Sequence, residues 1–194
     1  IEERVSREYI LDDDVDVIVD VADASNLEKN LYLVLQLIEI GKPVVLALNM
    51  MDVVEERGME IDVHGLHDML RIPVIPVSAR KKTGLDILMH SVSHHKDIEP
   101  EDMRAFVYSD LIEDKIDKIT QRLVEHDPYM YNPRFYAIKL LEHDSEVIEN
   151  CPVDVSDIAD KCYETEIINQ KYDFIEEIVE EVLVNKQEKE NFTD

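Results

Sequence analysis

The sequence predicts an α/β fold in which a partial parallel sheet of three strands with crossover helices is followed by an all-α helical domain. Within the first 95 residues an apolar run is followed three times by a segment with helical spacing. This alternation is expected of parallel strands joined by crossover helices. Beyond about Lys96 no further β-branched run occurs, and helical periodicity takes over. We therefore predict two domains, at residues 1–96 and 97–194.

The three predicted strands are near-continuous runs of Val, Ile and other apolar residues. Runs of this kind, without strict alternation of apolar and polar residues, are typical of strands that are covered on both faces. The runs are VDVIVDVAD at 15–23, PVVLALNM at 43–50 and IPVIPVSA at 72–79.

The helical pattern in the first half is clearest after the first strand. Ser25–Glu28 fits a helix-capping box, and Gly41 marks the end of the helix. Between them, apolar residues recur with helical spacing at Leu27, Leu31, Val34, Leu35 and Ile38. Further helices are predicted at 63–70, at 85–92 and in the opening segment 1–13.

The second half has the pattern of packed helices. One apolar face is formed by Ile112, Ile116, Ile119 and Leu123. Asn132 and Pro133 fit the N-cap and first residue of a helix that runs to Asn150. Another helix is predicted over 154–168, and the last helix is marked by Ile175, Ile178, Val179, Val182 and Leu183. We expect the polar end of the chain, 185–194, to be frayed.

Composition restricts the class of partner. The 194 residues include 45 acidic and 20 basic side chains, a formal charge of −25. This argues against nucleic-acid binding, which needs clustered Lys and Arg, whereas a basic partner or cations would suit it. No apolar run reaches 18 residues, and the two cysteines form no CxxC pair. We therefore expect a soluble chain in a reduced cytosolic setting.

Two polar loops carry the functional signal. Asn49–Asp52 follows the second strand and Ser78–Arg80 follows the third, so both should lie at the carboxyl edge of the sheet, where open α/β sheets bind ligands. A carboxylate such as that of Asp52 can accept two parallel hydrogen bonds from the N1–H and exocyclic amine of guanine. Asn49 would serve the ring nitrogen or brace the neighbouring loop. The alternative is that the polar residues of both loops only favour ordinary turns after the strands.

Several segments resemble one protein family. NMMD and SARKKTG resemble the two guanine-recognition motifs of small GTPases, and residues 23–52 resemble the G domain of the ferrous iron transport protein B (FeoB) family. Met50 stands where general GTPases carry Lys, as is characteristic of that family. The segments FYAIKLLEHDSEVIEN and QKYDFIEEIVEEVL resemble its helical domain. The resemblance covers almost the entire chain and implies a P-loop-GTPase-like sheet.

The resemblance also implies roles for particular residues. Asp52 would accept from the guanine N1–H and amine, while Asn49 would contact the base and tie its loop to the phosphate loop. The backbone at Ser78 and Ala79 would meet the guanine O6 atom, and Met50 would supply apolar contact. Arg80 would cover the base or remain solvated. The implied nucleotide-binding set is Asn49, Met50, Met51, Asp52, Ser78, Ala79 and Arg80.

The motifs of phosphate chemistry do not occur in this sequence. There is no G-x-x-x-x-G-K-[ST] phosphate loop and no D-x-x-G segment, and the chain begins at Ile1 rather than Met. We expect a fragment whose contacts with Mg²⁺ and phosphates come only through a missing N-terminal segment. The fragment should contain no catalytic residue and be inactive alone, with GTP hydrolysis expected of the intact parent.

Two functions of different class follow. In the first, the chain is the guanine-recognition part of a ferrous iron transporter on the cytoplasmic side of the cell membrane. The intact protein would couple GTP binding and hydrolysis to Fe(II) uptake, with its own membrane domain as partner. The alternative is a non-enzymatic acidic interaction module with a degenerate G-like half domain. A soluble GTPase of ribosome assembly is a third, weaker reading.

Two further expectations concern association and metals. The first strand would keep an unpaired edge, so we expect the chain to form homo-oligomers or to be only marginally folded. His64 and His67 stand three residues apart and His94 and His95 are adjacent, but neither pair has a carboxylate or cysteine at ligand spacing. We interpret them as solvated surface histidines and predict no metal site. Cys151 and Cys162 are interpreted as packing residues.

Overall fold

The computed structural model describes residues 9–11, 14–96 and 99–185. Within these ranges the strands are β1 (Ile18–Asp23), β2 (Val44–Asn49), β3 (Met59–Ile61), β4 (Val74–Pro76) and β5 (Leu183–Asn185). The helices are α1 (Leu27–Ile40), α2 (Met51–Glu56), α3 (Val63–Leu70), α4 (Leu85–His94), α5 (Asp110–His126), α6 (Pro133–Leu141), α7 (Ser145–Asn150) and α8 (Glu164–Val182).

The chain forms two compact units. Unit 1 contains the described residues up to Ala105 together with those from Phe174 onward, and unit 2 is Phe106–Asp173. These units divide the chain differently from the predicted domains, because the end of α8 and the strand β5 belong to unit 1. The domain boundary at 96/97 stays a prediction.

The predicted parallel sheet is confirmed. Its strand order is β1-β2-β4, with Ile18 opposite Val44 and Leu46 opposite Val74. Residues 44–48 are all buried, as expected for a central strand covered on both faces. On β1, at the edge of the sheet, Val19 and Val21 are exposed.

The helix after β1 is confirmed, but the predicted capping box at its start is wrong. Asp23, at the end of β1, accepts a hydrogen bond from Ser25 N at 2.8 Å and so caps a short 3₁₀ turn over 24–26. Asn26 makes no capping hydrogen bond to α1 and instead donates from Nδ2 to Asp23 Oδ2 at 2.9 Å. Gly41 ends α1 with a φ of 92°, a conformation that glycine adopts without steric cost.

The small second sheet of unit 1 was not predicted. In it, β3 pairs antiparallel with β5, with Ile61 opposite Leu183. Each strand is only three residues long, too short to show a period of two, and they are more than 100 residues apart in sequence. Leu183, assigned to the last helix on its apolar character, is instead the first residue of β5.

The apolar face predicted for α5 forms the centre of the core of unit 2. Ile112, Ile116, Ile119 and Leu123 are at most 1% exposed and pack with residues of α6, among them Ile138. The predicted helix from Pro133 to Asn150 is divided into α6 and α7. The division follows His143, whose φ is 58°, and Asp144, whose carboxylate caps α7 by accepting from Glu146 N and Val147 N.

The helix predicted over 154–168 is wrong for most of its length, because α8 begins only at Glu164. The residues before it form turns. Val155, Ile158 and Tyr163 are nevertheless buried in the core of unit 2. The apolar spacing therefore identified buried residues correctly, although the segment is not helical. Asp154 holds one turn by accepting from Ser156 N at 2.9 Å.

The two predictions for the chain ends concern residues that mostly lie outside the described ranges. Of the predicted opening helix, Tyr9 and Ile10 are helical and the remainder lies outside the described residues. The predicted frayed end beyond Asn185 also lies outside them. Among the helices that the structure describes, none combines the length and apolar character needed to cross a membrane.

Candidate functional site

The first polar loop begins where β2 ends. Asn49 is the last residue of the strand, and its Oδ1 accepts a hydrogen bond from the backbone N–H of Ala79 at 3.4 Å. Parallel pairing continues past β4 through Val77 N, which donates to Leu48 O at 2.9 Å. The structure therefore brings the two predicted loops together at the carboxyl edge of the sheet.

Met50 turns the chain from strand to helix. Its φ of 66° lies in the left-handed region, and Val53 N donates to its carbonyl at 3.1 Å to close the first turn of α2. The Met50 side chain is 41% exposed, an apolar surface at the edge of the sheet. Met51 is partly buried and begins α2.

Asp52 lies in the first turn of α2 and is partly exposed. Its carboxylate forms no hydrogen bond or ion pair with any residue in the described parts of the chain. The backbone N–H groups and dipole at the start of a helix favour negative charge. Both oxygens of the carboxylate therefore remain available to a ligand.

The second loop is a closed turn. Ser78 and Thr83 exchange backbone hydrogen bonds of 3.1 and 3.2 Å, and Lys81 N donates to Ser78 Oγ at 3.1 Å. Ala79 and Arg80, at its tip, are exposed. The backbone N–H groups of Ser78 and Ala79, which we expected to face a base, thus already have partners within the protein, although that of Ala79 is distant at 3.4 Å.

Gly84 connects this turn to α4. Its φ is 79°, and a Cβ atom there would lie 2.2 Å from Pro76 O, closer than any real contact. Only glycine therefore fits this position, where the end of β4 meets the start of α4.

A third polar side chain, which was not predicted, lies at the same edge. Asp23 stands opposite Asn49 in the pairing of β1 with β2. Hydrogen bonds from Asn26 and then Ser25 lower the pKa of the Asp23 carboxyl, with a smaller contribution from the charge of Arg57. Arg57 also donates from Nη1 to Ser25 O at 3.1 Å. Asp23 could have been identified from the sequence, because it ends an apolar run, and Asp52 was identified by a similar position.

The two carboxylates at this edge differ in what they can do. Asp23 is engaged by neighbours in its own loop, so it holds that loop in shape. Asp52 retains free acceptor oxygens beside the exposed apolar surface of Met50. A planar ligand with two adjacent N–H donors and an apolar face would match this second arrangement.

Of the four histidines predicted to be exposed at the surface, one is buried. His64 and His67 are exposed, but His95 is only 7% exposed, so its assignment to the solvated surface is wrong. It follows the last residue of α4 and is buried within unit 1. In the part of the chain that the structure describes, no three His, Cys, Asp or Glu side chains form a group that could hold a metal. Cys151 packs partly against the core of unit 2, and Cys162 is exposed.

The sheet, its crossover helices and the paired loops at its carboxyl edge are those of part of a G domain, and a helical unit follows. Residues 1–92 match the family "Ferrous iron transport protein B", and residues 108–184 match the "FeoB cytosolic helical domain". The chain belongs to the FeoB family, as the resemblance predicted.

Two relatives with the name Fe(2+) transporter FeoB support this assignment. The Fe(2+) transporter FeoB of Salmonella typhimurium is 33% identical over 144 residues, 74% of this chain. That of Salmonella choleraesuis is 42% identical over 95 residues, 49% of this chain. The matches cover 18% and 12% of those relatives, so the chain spans less than a fifth of their length.

Solved structures of the same family match nearly the whole chain. A GDP-bound point mutant of S. thermophilus NFeoB has a TM-score of 0.83 at 37% identity, and the match covers 94% of this chain and 75% of that one. The cytosolic domain of L. pneumophila FeoB has a TM-score of 0.79 at 29% identity, with 94% of this chain and 74% of that one covered. These neighbours confirm the predicted fold class.

Proposed function

We propose that this chain recognises the base of a guanine nucleotide through the loops at Asn49–Asp52 and Ser78–Arg80, as part of a GTP-binding ferrous iron transporter. One observation carries the proposal. Asp52 presents a carboxylate with no partner among the described residues, at an edge where Asn49 ties the two loops together. A group that served only to cap the turn would be engaged by it, as Asp23 is.

The base contacts follow from donor and acceptor chemistry. Asp52 accepts from the N1–H and the exocyclic amine of guanine. The Ala79 N–H, whose bond to Asn49 is long, donates to the guanine O6 atom. Met50 offers its exposed thioether side chain to the face of the ring, and Arg80, exposed at the tip of the second loop, covers it from the other loop. Ser78 closes the second turn through its hydrogen bonds with Thr83 and Lys81, and Met51 begins α2 beside Asp52.

The function of the intact protein extends this proposal. The relatives are named Fe(2+) transporters, and the S. thermophilus neighbours were solved with GDP, with GMPPNP, and with GDP·AlF₄⁻ and K⁺. The intact protein would couple GTP binding and hydrolysis to Fe(II) uptake from the cytoplasmic side of its membrane domain. Contacts with Mg²⁺ and the phosphates would come from other parts of it, because this sequence holds no phosphate-loop motif.

The test is a change of base preference in Asp52→Asn, made in the longest protein that the gene encodes. The new amide places an NH₂ donor opposite the guanine amine, and each hydrogen bond to a charged group contributes about 1.5–3 kcal/mol. GDP affinity should fall by about two to four orders of magnitude. Xanthine carries a carbonyl where guanine carries the amine, so the variant should prefer xanthosine diphosphate. Competition of both diphosphates with a fluorescent GDP measures the preference.

Asp86→Asn is the matched control, because Asp86 also lies in the first turn of its helix and is exposed. It should leave both affinities unchanged. If Asp52→Asn keeps the preference for GDP, or weakens both nucleotides equally, Asp52 does not contact the base. The interaction-module alternative would then become the better explanation.

A further inference from the structure

His90 and His94 form an exposed pair on the last turns of α4. They are four residues apart and therefore on the same face of the helix. Their ring centroids are 4.2 Å apart, with 34° between the ring planes. Both side chains are exposed. His94 was considered only beside His95, and its four-residue spacing from His90, just beyond the predicted helix 85–92, was overlooked.

The hydrogen bonds of His94 fix which ring nitrogen is available. Nδ1 lies 2.8 Å from the carbonyl oxygen of His90 and 2.9 Å from Ser93 Oγ, which itself donates to that carbonyl at 2.8 Å. Because a carbonyl oxygen only accepts, Nδ1 carries the proton in this bond. In the neutral ring Nε2 then holds the lone pair, facing away from the helix backbone. A hydrogen bond from Nδ1–H to a backbone carbonyl is the usual way in which a metal-binding histidine is oriented.

The ring of His90 leaves its nitrogens available as well. Neither nitrogen has a hydrogen-bond partner in the described parts of the chain. Two imidazole nitrogens on adjacent turns of one helix can be brought to one ion by side-chain rotation, with each bond about 2.0–2.1 Å long.

The electrostatic setting favours a cation. The pair lies at the carboxyl end of α4, where the helix dipole is negative. Asp86 stands on the same helix one turn before His90 and is exposed. The chain as a whole carries a formal charge of −25.

We propose that His90 and His94 form a two-histidine, exchangeable binding site for a divalent first-row transition-metal ion. Imidazole suits Zn²⁺, Cu²⁺, Ni²⁺, Co²⁺ and Fe²⁺, whereas Mg²⁺ and Ca²⁺ take oxygen ligands. Because no third His, Cys, Asp or Glu side chain completes the group within the described residues, water occupies the remaining coordination positions. The site does not depend on the proposed recognition of guanine.

The chain offers a matched control in His64 and His67 on α3. That pair is also exposed and helical, but it is spaced by three residues, with ring centroids 6.2 Å apart. His67 is held as His94 is, with Nδ1 2.7 Å from Ile72 O, so the two pairs differ in spacing and ring separation and in His64, whose Nδ1 lies 3.8 Å from Asp68 Oδ1. We expect it to bind the same ion much more weakly.

The experiment titrates the chain with Zn²⁺ by calorimetry in the presence of excess Mg²⁺, which occupies carboxylate sites. Histidine ring ¹⁵N spectra follow the same titration. One site should saturate first, moving the nitrogen signals of His90 and His94. His90→Gln and His94→Gln should each weaken that site about tenfold or more, whereas His64→Gln with His67→Gln should leave it unchanged. All four side chains are exposed, and Gln is a good helix former.

A folded-state readout separates chelation from loose surface binding. Only a formed α4 holds the two rings side by side, so Zn²⁺ should raise the unfolding temperature, and the His90→Gln variant should abolish the rise. The proposal is overturned if the double variant of His90 and His94 retains the first Zn²⁺ site, or if the His64 and His67 variant loses it.

Discussion

The carboxylate of Asp52, at the carboxyl edge of the sheet, and the paired carboxylates of unit 2 have opposite surroundings. Asp52, at the edge, has no partner among the described residues. In unit 2, Glu113 accepts two hydrogen bonds from the guanidinium of Arg134, at 2.6 and 2.7 Å, and a third from Tyr108 N at 2.8 Å. A carboxylate whose acceptor capacity is filled within the protein stabilises the fold, whereas one with spare capacity at the ligand-binding edge of the sheet can accept hydrogen bonds from a ligand.

Unit 2 repeats this arrangement between other elements. Arg122 on α5 donates to both oxygens of Asp157, and Lys115 donates to Asp160 at 2.9 Å and to Ile158 O at 2.7 Å. The hydrogen bond from Lys115 is the main reason that the pKa of Asp160 falls to about 2. These contacts join α5 to the irregular segment before α8, so they substitute for the regular structure that this segment lacks.

The largest effect is expected from a substitution at Gly84, where the backbone after the second edge loop passes close to the end of β4. Gly84→Ala places a Cβ atom 2.2 Å from Pro76 O at a φ of 79°. Strain and the backbone clash together should lower the free energy of unfolding by roughly 3 kcal/mol or more. Urea denaturation measures the loss.

Gly58→Ala is the control for that variant. Its φ is 73°, but a Cβ atom there would meet nothing within 4 Å. We expect a loss of only about 1–2 kcal/mol, from the left-handed conformation alone. Equal losses in the two variants would mean that the close approach to Pro76 does not matter.

A smaller effect is expected from the filled carboxylate of unit 2. The side chains of Arg134 and Glu113 are only 15% and 18% exposed, and Glu113→Ala leaves both the guanidinium and Tyr108 N without this acceptor. We expect a loss of about 2 kcal/mol in unfolding free energy. Asp114→Ala, which breaks an exposed pair with Lys118, should cost about 0–1 kcal/mol. If Asp114→Ala cost as much as Glu113→Ala, burial would not be the cause.

The third expected effect compares the two aspartates of the edge. Asp23→Ala removes the cap from Ser25 N and should cost about 1 kcal/mol. Asp52→Ala removes no internal partner, so its effect on unfolding should stay within about 0.5 kcal/mol. Thermal denaturation of both variants gives the comparison. A larger loss in Asp52→Ala than in Asp23→Ala would indicate that Asp52 is structural after all.

Features that depend on neighbouring residues in sequence were predictable. Runs of Val and Ile gave the three parallel strands, and the chain continuing from them placed Asn49 and Ser78 at one edge. Features that depend on distant contacts were not. The pairing of Ile61 with Leu183 joins segments whose local pattern is weak. The buried turns around Ile158 keep helical spacing although side-chain hydrogen bonds from α5 replace the helix.

The smallest expected effect concerns pH and the buried His95. Desolvation lowers the pKa of its imidazole below the ordinary 6.5, although a hydrogen bond with the backbone of Val44 opposes this, and Nε2 has no hydrogen-bond partner within the described residues. Because the folded state binds the proton more weakly than the unfolded chain, this contribution to stability is fully present above pH 6.5. It is lost as the pH falls from there toward the folded pKa, and the loss involves a single proton. His95→Gln should therefore show a flatter decline in unfolding free energy between about pH 7.5 and 5.5. His126→Gln, at an exposed position of unit 2, is the control and should leave the slope unchanged. An identical slope in the parent and in His95→Gln would mean that His95 takes up its proton equally well in the folded and unfolded chains.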